Sequence, residues 1–264
     1  MLIVGERINA TRKKIGEAVK NRDTDHIKAE ATKQVEAGSD YIDVNGGIPG
    51  QEVELLPWLV DVVQEAVDVP LCLDSADPEA IAAAIPRCKH PPMINSISYE
   101  KDRLENVVPL AREYDAKVIA LCLTEEGPPS GLDDRIEIAG RLVERLTEDG
   151  IELDKIHVDP CVFPISTGSD AGSWVLDTIS HVHSQWPGIH TICGASNVSF
   201  GLPQRKILNS VFLPMLIARG LDSAITDPCN KFIRANLFAA EALAGHDDFC
   251  TDYIGAFRAG DLEL

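Results

Sequence analysis

The stretch PLCLDSADPEAIAAAIPRCKHPPMINSIS, residues 70–98, contains a strand, a helix and the next strand in order, and it decides the fold. Leu71–Leu73 is a short apolar run that ends at Asp74, and Pro78–Ile85 has helical composition behind a proline. Proline is favoured in the first turn of a helix. Met93–Ser96 is the second apolar run with a polar end. Such a run is typical of a parallel barrel strand whose carboxyl end faces a ligand.

The same unit repeats along the whole chain. Predicted strands are Leu2–Ile8, Tyr41–Val44, Leu71–Leu73, Met93–Ser96, Val118–Leu123, Lys155–Val158, Thr191–Gly194 and Ala224–Thr226. Predicted helices are Asp25–Ala37, Val53–Ala66, Pro78–Ile85, Leu104–Glu113, Asp133–Leu146, Gly172–His183, Arg205–Ala218 and Lys231–Ala244. Strict alternation predicts parallel strands joined by right-handed crossovers.

The length of 264 residues fits one α/β barrel of the (β/α)8 TIM type, which needs roughly 250 residues. A doubly wound open sheet is the rival architecture, but about six strands complete it, and the repeat count therefore favours the barrel. No linker rich in proline, glycine or serine divides the chain. We therefore expect a single barrel domain over residues 1–264 rather than two ordinary domains.

Composition excludes several function classes. The net charge of −18 argues against nucleic-acid binding, which relies on clustered lysine and arginine. No apolar stretch approaches the ~20 residues of a membrane span, and the amino-terminal sequence lacks the layout of a signal peptide. The seven cysteines show no CxxC pair and no metal-ligand spacing. A reduced, cytoplasmic protein that binds neither membrane nor nucleic acid is the expectation.

Acidic and amide residues recur at the predicted strand ends. Asp43 and Asn45 follow the second strand, and Asp74 follows the third. Asn95 with Ser96, and Asp159, end the fourth and sixth strands. Each residue alone is equally well explained as a helix cap or as part of a turn. Their recurrence at successive strand ends predicts one pocket rich in carboxylate and carboxamide groups, which suits a neutral heterocycle with several N–H donors.

The segment GASNVSFGLPQR, residues 194–205, is the densest run of small and polar residues. Gly194 and Ser196 leave room for a planar ligand, and Asn197 offers both a donor and an acceptor. Arg205 is long enough to reach an anionic group of that ligand. The alternative is an ordinary helix start that is capped by Asn197 or Ser199.

The other candidates are weaker. Glu6 and Asn9 follow the first strand, where a charged residue could equally form a loop-facing ion pair. The chain has no phosphate-binding loop, nucleophile elbow or zinc-protease motif. His157 lies inside an apolar run and is interpreted as a core histidine with satisfied hydrogen bonds. His181 and His183 are two residues apart on a helix and face different ways, so that no metal site is predicted.

The segments GERIN, DVNGG, LCLDS, MINSIS, VDP and SNVSF, in this order, resemble those of the methyltetrahydrofolate:corrinoid protein methyltransferases. These are pterin-binding TIM barrels, related to the folate module of cobalamin-dependent methionine synthase and more distantly to dihydropteroate synthase. The resemblance runs from Met1 to about residue 250. It implies methyl transfer between N5 of methyltetrahydrofolate and the cobalt of a corrinoid (cobalamin-type) cofactor.

The resemblance also implies a role for individual residues. Asp74, Asn95 and Asp159 match residues that hydrogen-bond the pterin ring, and Asn197 matches the catalytic asparagine beside N5. Arg205 matches an arginine near the pterin, and Phe200 matches a neighbouring pocket position. Motif positions with a partly structural role are matched by Glu6, Asp43 and Asn45.

The chain lacks the zinc-binding cysteine cluster and the cobalamin signature DxHxxG. The corrinoid is therefore expected on a separate partner protein, and the family leads us to expect a homodimer. The loops 125–133 and 163–171 are expected to be long and flexible, because the barrel mouth must admit a cobalamin face.

Two other activities remain open from the sequence. Dihydropteroate synthesis uses the same fold, but Asn197-Val198-Ser199 stands where those enzymes carry a lysine in an SRK motif. A non-catalytic folate-binding protein would use the same pocket without methyl transfer.

Overall fold

The computed structural model describes residues 1–48 and 50–263, and it forms a closed barrel of parallel strands in the order β1-β2-β3-β4-β5-β6-β7-β8. The strands are β1 (Leu2–Asn9), β2 (Tyr41–Asn45), β3 (Leu71–Asp74), β4 (Met93–Tyr99), β5 (Lys117–Thr124), β6 (Ile156–Asp159), β7 (His190–Cys193) and β8 (Ser223–Thr226). The predicted TIM barrel is confirmed, and β1 pairs with β8 to close it.

The helices surround the barrel. They are α1 (Lys13–Lys20), α2 (Thr24–Glu36), α3 (Glu52–Gln64), α4 (Pro78–Ala84), α5 (Lys101–Asn106), α6 (Val108–Glu113), α7 (Leu132–Glu148), α8 (Ala171–Gln185), α9 (Arg205–Ile217), α10 (Lys231–Ala244) and α11 (Thr251–Ala259). In the described part of the chain, no helix combines the length and the apolar character that crossing a membrane requires.

Three helical features differ from the sequence prediction. The predicted helix Leu104–Glu113 is two helices, α5 and α6, because Pro109 cannot donate the backbone hydrogen bond that a continuous helix needs. Helix α1, which buries Ile15 and Val19, was not predicted. Helix α11 at the end of the chain was also missed.

Side chains along each strand alternate between two apolar layers, one outside the barrel and one inside it. On β3, Leu71 and Leu73 face outward into the main core between sheet and helices, whereas Cys72 faces into the barrel. The barrel interior is filled by a separate cluster that includes Met93 and Ile119. Because side chains alternate along a strand, the residue two positions after an interior residue also faces inward, at the carboxyl end.

Candidate functional site

The alternation places four polar strand-end residues over the barrel interior. Tyr41, Cys72 and Met93 belong to the interior cluster, and Asp43, Asp74 and Asn95 follow two positions later on the same faces. Asp159 stands in the same relation to His157 on β6. The structure therefore brings the predicted residues to the carboxyl end of the barrel, where TIM barrels carry their active sites.

Hydrogen bonds link the β2, β3 and β4 ends. Asn95 donates from Nδ2 to Oδ1 of Asp43 over 3.3 Å, and Asn45 donates from Nδ2 to Oδ2 of Asp74 over 2.7 Å. Asn45 also accepts from the backbone N–H of Gly47 over 2.8 Å, which confirms the turn interpretation of Asn45. The interpretation of Asp74 as a helix cap is wrong, since Asp77 caps α4.

Burial raises the pKa of both carboxyl groups, Asp43 and Asp74. The pKa of Asp43 lies well above its ordinary value because the group is desolvated and faces the charge of Asp74, and the charge of Glu6 adds to this. The pKa of Asp74 is also raised, mainly by burial. Neither group forms a salt bridge with a described residue. Hydrogen bonds to a carboxylate favour its charged form, and Asn95 and Asn45 supply one each to this pair.

Asp159 is isolated from that pair and is also desolvated. Its Oδ1 accepts the backbone N–H of Cys161 over 2.8 Å. Burial raises the pKa of Asp159 to about 7, and that hydrogen bond lowers it only in part. A carboxyl group with such a pKa in a cleft is a candidate functional group.

The loop after β7 is held by Arg205. The Arg205 guanidinium donates to the carbonyl oxygen of Ser196 over 2.9 Å and to Oγ of Ser199 over 3.1 Å. It also lies over the exposed ring of Phe200, with 5.5 Å from the guanidinium carbon to the ring centroid. Within the described residues, the guanidinium thus shapes the loop.

Asn197 lies on the solvent side of this loop. The Asn197 side chain is on an exposed residue and turns back toward Gly194. A Cβ added at Gly194 would lie 3.7 Å from Nδ2 of Asn197. The alternative that Asn197 or Ser199 caps the following helix is wrong, because α9 begins at Arg205 and Gln204 precedes it without a side-chain cap. The Asn197 amide is thus not committed to capping that helix.

At the end of β1, Glu6 is part of an ionic network. Arg12 donates to Glu6 over 3.1 Å, and Arg7 bridges Asp227 over 2.9 Å and Glu30 over 2.8 Å. Burial raises the pKa of Glu6 although the charges of Arg12 and Arg205 lower it. By contrast, Asn9 closes a turn by accepting from the backbone and hydroxyl of Thr11. Asn9 is therefore explained by its turn.

A cavity of about 320 Å³ lies at the β3–β4 side of this mouth. Asp74, Asn95 and Ser96 line it, together with Arg103 of α5. Arg103 donates to the carbonyl oxygens of Ser96, over 3.0 Å from Nε, and Ala76, over 3.1 Å from Nη1. Sequence analysis missed Arg103, because nothing in the sequence of a helix start distinguishes it from a surface arginine.

The chain is similar to known proteins over most of its length. The family model described as pterin binding enzyme matches residues 5–227. The chain belongs to the pterin-binding enzyme family. It is 37% identical to the methylcorrinoid:tetrahydrofolate methyltransferase of Eubacterium limosum, over 99% of this chain and 98% of that protein. It is 30% identical to the methionine synthase of Mycobacterium leprae, over 85% of this chain and 20% of that protein.

Solved structures of the same fold include the dihydropteroate synthase of Xanthomonas albilineans in complex with 7,8-dihydropteroate. This structure has a TM-score of 0.71 and 16% identity, and the match covers 92% of each chain. At that identity the similarity shows the fold alone. The resemblance to the pterin-binding methyltransferases that the sequence motifs suggested is thus confirmed at the level of the family, whereas the role of each site residue stays a prediction.

Proposed function

We propose that this protein transfers a methyl group between N5 of tetrahydrofolate and the cobalt of a corrinoid that a separate protein carries. The near-complete coverage of the methylcorrinoid:tetrahydrofolate methyltransferase at 37% identity is the observation that carries the proposal. The name of that relative also favours the direction from the methylcorrinoid to tetrahydrofolate. The same proposal places the reaction in the cytoplasm, and the absence of a disulfide among the seven cysteines, all of them described residues, supports this.

The chemistry of the mouth fits a pterin. The pyrimidine edge of a pterin presents an N–H and an amino group side by side, and a carboxylate accepts both together. Asp43, Asp74 and Asp159 lack ion-pair partners among the described residues, and their raised pKa values reflect desolvation. Pterin N–H donors would add further hydrogen bonds that favour the charged form of these carboxylates. We assign pterin binding to Asp74, Asn95 and Asp159, with Ser96 and Gly194 as neighbouring wall positions.

Methyl transfer from methyltetrahydrofolate breaks the bond between N5 and the methyl carbon, and its electron pair stays on nitrogen. An amine anion is a very poor leaving group, so a proton must reach N5 as the bond breaks. In the opposite direction, the N5 lone pair attacks the methyl carbon and nitrogen then loses the proton. The corrinoid supplies or accepts the electron pair of the cobalt–carbon bond.

Asn197 is the residue that we place beside N5. Its amide can accept from protonated N5 and donate to the free amine, which is the change that the reaction requires. Its exposure on the β7 loop leaves it accessible to a substrate whose methyl group must also reach a partner protein. Asn197 would therefore stabilise the charge that develops at N5 rather than anchor the ring.

The experiment that tests this proposal measures cobalamin absorbance after methyltetrahydrofolate or tetrahydrofolate is added, with Asn197→Ala beside the wild type. We expect the variant to lose about 100-fold or more in transfer rate with much less change in folate affinity. Asn209→Ala is a control, because the one side-chain hydrogen bond of Asn209 to a described residue is the bond it accepts from Ser199 of the same loop. Equal loss of rate and affinity would show that Asn197 only binds, and folate binding without transfer by the wild type would favour a non-catalytic protein.

We also propose that the protein is a homodimer. Ile207, Val211 and Met215 are exposed at intervals of four residues on α9, so that they form one apolar stripe. On α11, Ile254 and Phe257 are exposed as well. Large exposed apolar areas of this kind mark interaction sites.

A further inference from the structure

The amino end of the barrel, opposite the pterin mouth, contains a cluster of two histidines and an aspartate. His157 on β6 and His190 on β7 are paired residues in the parallel ladder, and their rings stack with centroids 4.7 Å apart. Asp222 stands directly before β8, and its Oδ2 lies 2.7 Å from Nδ1 of His190. One potential ligand atom from each of the three side chains lies within 4.8 Å of the others.

His157 has a nitrogen that the protein does not satisfy. Its Nδ1 is paired with Oγ of Ser223 over 3.1 Å, whereas its Nε2 is buried without a hydrogen-bond partner among the described residues. A buried polar atom without a partner costs free energy, and in a native protein it calls for an explanation. Ser223 at Nδ1 is also the kind of partner that orients a metal-binding imidazole.

Space is available beside the cluster. A cavity of about 430 Å³ is lined by all three residues and by Glu241 and His246. Lys117 also lines the cavity, and its positive charge opposes a cation, whereas the carboxylates of Asp222 and Glu241 favour one. The charges around the cluster therefore do not exclude a divalent cation.

We propose that His157, His190 and Asp222 bind one Zn²⁺ ion that ties β6, β7 and β8 together at the amino end of the barrel. Two imidazoles and one carboxylate suit zinc, whereas Mg²⁺ and Ca²⁺ prefer oxygen ligands alone. Zinc–ligand bonds are about 2.0–2.2 Å long, so the three ligand atoms must move closer together when the ion binds. The short stack of the two rings therefore opens, with Asp222 held by the backbone N–H of Thr191 over 3.0 Å.

The ion would have a structural role. Among the described residues, β6 pairs with β7 through His157–His190 and Val158–Thr191 alone. Strand β7 pairs with β8 through Ile192–Ser223 and Cys193–Ala224. A metal that joins these three strands strengthens the shortest part of the barrel ladder. The amino end of a TIM barrel contributes stability rather than catalysis. The inference is therefore independent of the pterin chemistry at the other end.

The test uses the full chain, first stripped with a chelator and then titrated with Zn²⁺ or Co²⁺. We expect one zinc per chain, a higher melting temperature with zinc, and Co²⁺ ligand-field absorption that imidazole coordination produces. His190→Asn and Asp222→Asn should each weaken zinc binding by about 100-fold. Asp68→Asn is the matched control, because Asp68 pairs with His90 over 2.9 Å on the surface without a third ligand.

Three results would overturn the proposal. The wild type could bind no zinc at micromolar concentration, its melting temperature could stay unchanged by zinc, or Asp68→Asn could weaken binding as much as Asp222→Asn. If Asp222→Asn does not fold, His190→Asn and the Co²⁺ spectrum of the wild type still decide the question. An anomalous-scattering map at the zinc edge would locate the ion directly.

Discussion

Replacement of Asp159 by asparagine should stabilise the ligand-free protein while it removes pterin binding. Burial raises the pKa of this carboxyl from 3.8 to about 7. In the unfolded chain the group ionises near pH 4, so that between pH 4 and 7 the folded state holds a proton that the unfolded state has lost. Stability from this group is therefore present below pH 4, falls as the pH rises through this window, and stays lowered above pH 7.

The size of this effect on the free energy of unfolding follows from the pKa shift of Asp159. About three pKa units at ~1.4 kcal/mol each set an upper limit of about 4 kcal/mol for the cost of ionised Asp159 above pH 7. Because the residue is partly accessible to solvent, screening reduces this, and we expect about 2 kcal/mol. Asparagine carries no charge, and its Oδ1 can still accept the N–H of Cys161. The variant should therefore melt roughly 4–8 °C higher at pH 8.

The assay is thermal unfolding of both proteins from pH 5 to pH 8, followed by folate titration at pH 8. The difference in melting temperature should be less than half as large at pH 5 as at pH 8, and it should grow up to about pH 7. Asp154→Asn, which removes an exposed carboxylate just before the same strand, should show no such trend. A variant that is less stable than the wild type at pH 8, or a difference that does not change with pH, would refute the reasoning.

Two further predictions concern positioning and assembly. Arg103→Lys should raise the Kd for folate by about 10-fold, because lysine cannot donate to the carbonyl oxygens of Ser96 and Ala76 together. Isothermal titration calorimetry measures this Kd, and Arg141→Lys on the outer surface is the control. An unchanged Kd would contradict the positioning role of Arg103. Val211→Glu should convert the dimer into a monomer, because it places a charge in the apolar stripe of α9. Light scattering after size-exclusion chromatography measures the mass of both proteins. A wild type that is itself a monomer would refute the proposed dimer.

The fold was predictable because one short sequence pattern, an apolar run with a polar end followed by a helix, repeats along the chain. Apolar runs such as LCL ended in polar residues and alternated with helices, and the barrel has its eight strands where those runs lie. Boundaries were less predictable where short-range geometry decides them. Residues 153–155 form a 3-10 turn, for example, so that β6 begins at Ile156 rather than at Lys155. Helix α1 escaped prediction because its amphipathic segment is only eight residues long.

The site was predictable as a set of residues but not as a network. Strand alternation explains why Asp43, Asp74 and Asn95 meet over the barrel interior, since each follows an interior residue by two positions. It cannot show that Asn95 bonds Asp43 whereas Asn45 bonds Asp74, because these partners are 52 and 29 residues apart. Nor could spacing reveal Arg103, whose partners are backbone carbonyls. Pairings of this kind depend on rotamers and on the stagger of the strands.

The same alternation rule, applied toward the other end of the barrel, explains the cluster that sequence analysis did not find. On β6, His157 and Asp159 face the same interior from opposite ends of one short strand. The interpretation of His157 as a fully satisfied core residue is wrong for Nε2, because the ring of its ladder partner His190 stacks on it instead of bonding to that nitrogen. A strand of four residues thus carries polar groups at both ends of the barrel. The interior cluster lies between the pterin proposed at one end and the metal ion proposed at the other.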